Sequence, residues 1–261
     1  MKKMMTVAAL AVAVTSFVSC KKKDKDADLS GTYNSAEVMM GNGKVYSWAS
    51  LDKNGNPTAV GFTLNDAALN GLPAADTDKG HTHEHSYEMI LPSQASKTPF
   101  NHIVIDWNPA GHEPAPIYTI PHFDFHLYMI SKEERAKIPP YEVDSTGFKK
   151  YPSADYLPSN YINPGGGVPE MGTHWIDMNT PELHGNPFTL TFIYGTYNGQ
   201  VNFIEPMITY NYLKSLTDYN QTVPRAAKVA KSGYYPTRYR ITHANGAYTV
   251  SFEGMEWRDA S

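Results

Sequence analysis

Apolar and polar positions alternate along much of this chain with a period of two, the periodicity of strands rather than helices. The clearest run is HFDFHLY at positions 122–128, where His122, Asp124 and His126 interleave with Phe123, Phe125 and Leu127. On a strand this places an apolar wall on one face and a row of imidazole, carboxylate and imidazole on the other. Two further patterns read as hairpins, 188–197 returning through 200–205, and 238–243 returning through 247–252. Asn42-Gly43, Asn54-Gly55, Asn198-Gly199 and Asn245-Gly246 each lie between β-prone segments. Asn-Gly suits the type I′ turn, which needs positive φ at both central residues. Helical patterns are short: 65–70, 131–138, 207–216 and 225–231. The expected fold is mostly β, an antiparallel sandwich or barrel with a few short peripheral helices.

The N-terminus changes the picture from a plain globular chain. A short positive start, Met1-Lys2-Lys3, precedes an apolar run at 4–18 and then Ser19-Cys20. The run is too short for a membrane span and reads as a secretory leader. Cys20 after a small residue resembles the lipobox of bacterial lipoproteins, which implies cleavage before Cys20, lipidation of its thiol and a membrane anchor. The expected organisation is a leader at 1–19, a solvated tether at 20–29 and one β-rich domain at 30–261. The expected location is the bacterial cell envelope, at the periplasmic face or the cell surface. Cys20 is the only cysteine, so a disulfide or thiolate metal site is excluded from the folded part. Losing Lys2 and Lys3 moves the net charge from −4 to about −6. No basic patch remains that would suit nucleic acid.

Between residues 139 and 169 the composition shifts to Pro, Tyr, Ser, Asn and Gly, ending in Gly165-Gly166-Gly167. A connection of this length inside a domain is usually functional or disordered. Here it reads as a lid over the histidine segment or as a cover for a sheet edge. The triple glycine is not a phosphate cradle, because Val168-Pro169 follows where a helix would have to begin.

The chemistry is concentrated at 107–128. His112, Glu113, His122, Asp124 and His126 fall within it, and His174 and Glu205 are the next candidates along the chain. Without thiolates, any metal is held by nitrogen and oxygen, and a divalent Zn, Fe or Mn ion is expected. Same-face residues two apart on a strand are separated by about 6.7 Å and four apart by about 13 Å. His122 and His126 therefore cannot share one ion on a straight strand. Asp124 with His126 or with His122 is easier, the remaining ligands coming from His112 or His174. Glu113 and Glu205 are the candidate general bases. His81, His83 and His85 form a second group, read as an exposed loop with adventitious metal affinity. No G-x-S-x-G elbow, H-E-x-x-H helix, Rossmann or P-loop glycine pattern is present, and Asp144-Ser-Thr-Gly147 is a chance match to an aspartic-protease loop.

The string WNPAGHEP…PHFDFH resembles a signature of a family of uncharacterised bacterial exported proteins, a domain of unknown function. The resemblance continues through Gly41-Asn-Gly43, Asn54-Gly-Asn-Pro57, Leu69-Asn-Gly-Leu-Pro73, residues 171–177, Tyr194-Gly195 and Glu205-Pro206. It implies one continuous exported domain and carries no catalytic residue over.

Three functional readings remain open at this level. One is a lipid-anchored envelope protein whose metal organises a small-molecule pocket or a homo-oligomer interface. Another is a metal-dependent enzyme of cupin-like two-His, one-carboxylate type acting on a small molecule. The third is a structural or assembly module with no metal. An enzyme requires three convergent ligands at the base of a pocket with a coordination position left open.

Overall fold

The computed structural model describes residues 28–75 and 85–261. The expected leader, Cys20, most of the expected tether, and His81 and His83 lie outside the described residues. Among the described residues the first seven strands are β1 (Gly31–Asn34), β2 (Val38–Met40), β3 (Gly43–Leu51), β4 (Pro57–Asn65), β5 (His85–Ile90), β6 (His102–Asn108) and β7 (His122–Tyr128). The next are β8 (Tyr161–Ile162), β9 (Thr173–Asp177), β10 (Leu190–Tyr197), β11 (Gln200–Thr209) and β12 (Asp218–Thr222). The last are β13 (Gly233–Tyr235), β14 (Arg238–Ala244), β15 (Ala247–Glu253) and β16 (Glu256–Arg258). Two short α-helices, α1 (Lys132–Arg135) and α2 (Tyr210–Ser215), lie outside the sheets.

The strands form two stacked antiparallel sheets, as expected for a β-sandwich. One has the order β1-β3-β4-β15-β14-β12 with β2 added on β3, the other β5-β6-β7-β11-β10-β9-β8, and β13 pairs separately with β16. Alternation explains the packing between them. Phe123, Phe125 and Leu127 of β7 and Ile103, Ile105 and Trp107 of β6 join the main core with Val60, Phe62 and Leu64 of β4. The Phe62 and Phe125 rings meet edge to face with centroids 4.9 Å apart. The residues between them point to the outer face of the second sheet. That face is covered by connections rather than a third sheet, so all seven residues of β7 are buried.

Two hairpins match the pattern closely. Asn198 and Gly199 join β10 to β11, and Asn245 and Gly246 join β14 to β15, each pair with positive φ at both positions. The first Asn-Gly is displaced: the β2–β3 turn is centred on Gly41 and Asn42, and Gly43 already belongs to β3. A Cβ on Gly43 would sit 2.0 Å from Asn65 Oδ1, so this glycine permits close approach instead of making the turn. At Asn54-Gly55 only the glycine has positive φ. The 65–70 pattern becomes a 3₁₀ turn at Asp66–Leu69, and α1 carries a capping box from Ser131 and Glu134. The 207–216 pattern is split, because Met207 and Ile208 extend β11 before α2 begins. No helix forms at 225–231, where Lys228 N–H donates to Asp155 O and Arg258 bonds the carbonyls of Ala226 and Ala227.

Candidate metal centre

Two sets of ligand-type side chains converge on the outer face of the second sheet. The first is His126, His174 and Glu205, and the second is His112, His122 and Asp124. Within each set one ligand atom per residue lies within 4.8 Å of the others. Both sets open on one cavity of about 310 Å³, lined among others by His112, Asp124, His126, His174 and Glu205.

Strand register builds the first set. β7 pairs with β11, and the register Ile204↔Leu127 and Met207↔Asp124 places Glu205 beside His126. His126 Nε2 lies 3.4 Å from Glu205 Oε2. His174 reaches the same oxygen at 3.7 Å from β9, across β10. The residue it must cross is Gly195, paired with both His174 and Phe203. A Cβ there would fall 2.0 Å from the Phe203 ring, which packs on the His126 ring at 4.9 Å and the His174 ring at 5.5 Å. Gly195→Ala is therefore expected to push Phe203 into both imidazoles, costing about 1–3 kcal/mol by overpacking and weakening metal binding at this set. Denaturant unfolding and metal titration of the variant check both parts.

The spacings suit a shared ion. Ligand atoms at the corners of a tetrahedron with bonds of about 2.0 Å stand roughly 3.3 Å apart. The 3.4 and 3.7 Å separations are both slightly longer than that edge. Glu205 Oε2 is buried and makes no hydrogen bond. Orientation beyond the ligands also fits: His126 Nδ1 faces Asp106 Oδ2 at 3.2 Å, and Ser86 donates to Asp106 Oδ1. A carboxylate behind a histidine fixes the tautomer that presents Nε2 and raises its basicity. Asp106→Asn is expected to lower metal affinity 10–100-fold without moving His126, which a competition titration of the folded variant would show.

The second set is anchored in the same manner. His122 Nδ1–H donates to Ile120 O at 2.7 Å and His112 Nδ1–H to Glu113 O at 2.6 Å. Their Nε2 atoms approach Asp124 Oδ1 at 3.2 Å and Oδ2 at 3.3 Å. Asn108 donates to Asp124 Oδ2 at 2.7 Å. The separation of His122 from His126 expected from the strand spacing is thus observed, each belonging to a different set.

Burial and charge act together on the protons of this site. Burial alone raises Glu205, His126 opposes it, and Asp124 adds to it, leaving the carboxyl near 8. For His126 burial lowers the pKa, but the Glu205 and Asp106 carboxylates outweigh it and lift the imidazole to about 9. His112 is likewise lowered by burial yet held at about 9 by Asp124. Asp124, although buried, is kept well below the usual carboxylate range by His122 and His112. The His126–Glu205 pair consequently holds a proton at neutral pH, which a metal ion would displace.

The arrangement redistributes the residues named from sequence. Glu205 stands beside His126 and His174, where it could serve as a ligand, and Asp124 stands beside His112 and His122. Glu113 borders the cavity, with Oε2 accepting from Ala115 N–H at 2.6 Å. His85 begins β5, opposite Trp107. Part of the long connection, Pro164, Gly165, Gly167 and Val168, forms a wall of the cavity, while its Tyr161 pairs into the sheet edge through β8. Asp106, Asn108 and the buried Glu182, which accepts from Tyr118 and Thr180, were not identified from sequence. The first two could have been found by carrying the β7 alternation onto β6, where Asp106 pairs with Asp124 and Asn108 with His122.

Residues 52–107 match the model of a family described as TTHB210-like: Hypothetical protein TTHB210, a family of unknown function. The matched stretch runs through β4 and β5 to Trp107 of β6, and so includes Asp106 but none of the six convergent ligands. No curated protein matches the chain, and no solved structure matches it either.

Proposed function

We propose that the cavity on the second sheet is a divalent transition-metal centre with an open coordination side facing a small-molecule pocket. The observation that carries this reading is the approach of His126 Nε2 and His174 Nε2 to one Glu205 oxygen at 3.4 and 3.7 Å, with Asp106 behind His126. Two histidines and one carboxylate leave room for water or a substrate group on the ion. Met171, Ile176, Ile193 and Met207 supply apolar wall to the same cavity. When bound, the ion supplies Lewis acidity and a nucleophilic water at neutral pH. Glu113 stands at the cavity edge to accept a proton, and the collar formed by Tyr118, Ile176, Phe188, Ile193 and Met207 limits water on the inner side.

The leader and Cys20 support a lipid-anchored placement of this domain in the bacterial envelope, which palmitate labelling of wild type and Cys20→Ser cells would test. The metal reading is tested by equilibrium dialysis of the untagged domain against Zn²⁺ and Mn²⁺. Stoichiometric retention that is lost in His174→Ala supports it; equal retention by both proteins ends it.

A further inference from the structure

We propose that the His112, His122 and Asp124 set holds a second divalent cation at the same time as the first, and that the pair takes an oxyanion group bridging both ions. The proposal rests on the metal reading of the first set and adds to it a second ion and a ligand class.

In the absence of an ion the second set pairs both imidazoles with Asp124, and its orientation is also that of a ligand set. Asp124 is buried, and its two oxygens have different duties. Oδ2 accepts from Asn108 Nδ2, while Oδ1 has no hydrogen bond although it faces His122 Nε2 at 3.2 Å. His122 Nε2 is buried and likewise makes no hydrogen bond. Its Nδ1 is committed to the Ile120 carbonyl, so the second nitrogen is the one aimed inward. His112 repeats this geometry from the covering connection, with its ring edge-on to His122 at 4.6 Å. Two imidazoles with Nδ1 tied to carbonyls, and one carboxylate oriented by an amide, are the partners that metal ligands require behind them.

Both sets are filled together because they share one strand and one cavity. Asp124 and His126 are same-face neighbours on β7, about 6.7 Å apart along the strand. One bridging oxygen spans ion pairs about 3.5–4 Å apart. A wider pair is bridged by a group with two oxygens on one central atom, such as a phosphate or a carboxylate. Two divalent ions bring four positive charges against the carboxylates of Asp106, Asp124 and Glu205. Glu113 at the cavity edge balances the fourth charge, so the anion would be held by the open positions of the ions themselves. His112, partly exposed, and Glu113 stand at the mouth of the cavity.

The test is metal stoichiometry of the untagged domain after equilibration with Mn²⁺, combined with electron paramagnetic resonance and calorimetric titration with inorganic phosphate or acetate. Wild type is expected to hold two ions per chain with magnetically coupled Mn²⁺ signals. His112→Gln, a change on the covering connection rather than in the sheet, is expected to hold one ion, lose the coupling and bind the anion at least tenfold more weakly. One ion in wild type, retained in His112→Gln and lost in His174→Ala, would overturn this proposal and leave the first site standing. No ion in either protein would remove both. Two ions with neither phosphate nor acetate bound would overturn the oxyanion assignment. Phosphate binding without acetate binding would narrow the class to tetrahedral oxyanions.

Discussion

His126→Ala is expected to remove metal binding from the first set and to destabilise the fold at the same time. A full four-ligand zinc site contributes about 10–16 kcal/mol. Shared over four ligands that is roughly 2.5–4 kcal/mol for each, a loss of about 10²–10³-fold in affinity. The cost to the fold arises separately. His126 is fully buried between Asp106 and Glu205, and removing the cation of a buried ionic group typically costs about 3–5 kcal/mol. His174→Ala separates the two effects. Its side chain is partly exposed at 23% and meets the Glu205 carboxylate at 3.7 Å. It is expected to lose metal affinity by a similar factor while shifting the urea midpoint little. Parallel metal titration and urea unfolding of the two variants check this. Equal loss of stability in both would mean that His174 is a packing residue rather than a ligand.

The second large effect is on pH. The folded-state pKa values of His126 and Glu205 are raised, to about 9 and about 8. For a raised histidine, the stabilisation is complete below its unfolded value near 6.5 and is lost as pH climbs through the folded value. A raised carboxyl acts in the same sense, its contribution declining as pH rises from about 4.5 towards the folded value. The metal-free domain should therefore lose stability from about pH 4.5 up to about 9, most steeply between about 6.5 and 8 where both contributions decline. Asp124, held low by His122 and His112, acts oppositely, its contribution falling away only in acid below its unfolded value near 3.9. Metal binding displaces the proton held by the His126–Glu205 pair, so affinity should rise with pH by roughly tenfold per unit for each proton displaced. Thermal unfolding with and without Zn²⁺ across this range should show a metal-dependent gain in Tm that widens with pH. Calorimetry in buffers of different ionisation enthalpy should count at least one proton released per ion at pH 7. A gain in Tm that is flat with pH would mean that the ion binds elsewhere.

Much of this site was legible in the chain because its central part is local. Strand alternation alone assigned Phe123, Phe125 and Leu127 to the core and His122, Asp124 and His126 to the opposite face, as the packing of β7 shows. The strand repeat also separated His122 from His126. The hairpins at Asn198 and Asn245 were legible for the same reason, since two-residue turns join adjacent strands. What required the structure is the long-range pairing. His174 meets Glu205 only because β9 and β11 flank β10 and Gly195 leaves the space between them. Asp106 was hidden in HIVIDWN, a run whose apolar neighbours face the other sheet. The 225–231 segment has a helical composition, but its backbone groups are taken by residue 155 and the C-terminal strand region. Gly43 has the sequence of a turn residue and the role of a close contact with Asn65.

The convergence of His126, His174 and Glu205 on one ion is tested most directly by anomalous diffraction at the zinc edge, from crystals of the untagged domain equilibrated with Zn²⁺. The account predicts a peak about 2.0–2.2 Å from His126 Nε2, His174 Nε2 and a Glu205 oxygen, with open space on its cavity side. Well-diffracting crystals with no peak in the cavity, or with zinc only on surface histidines such as His184 or His243, would contradict it.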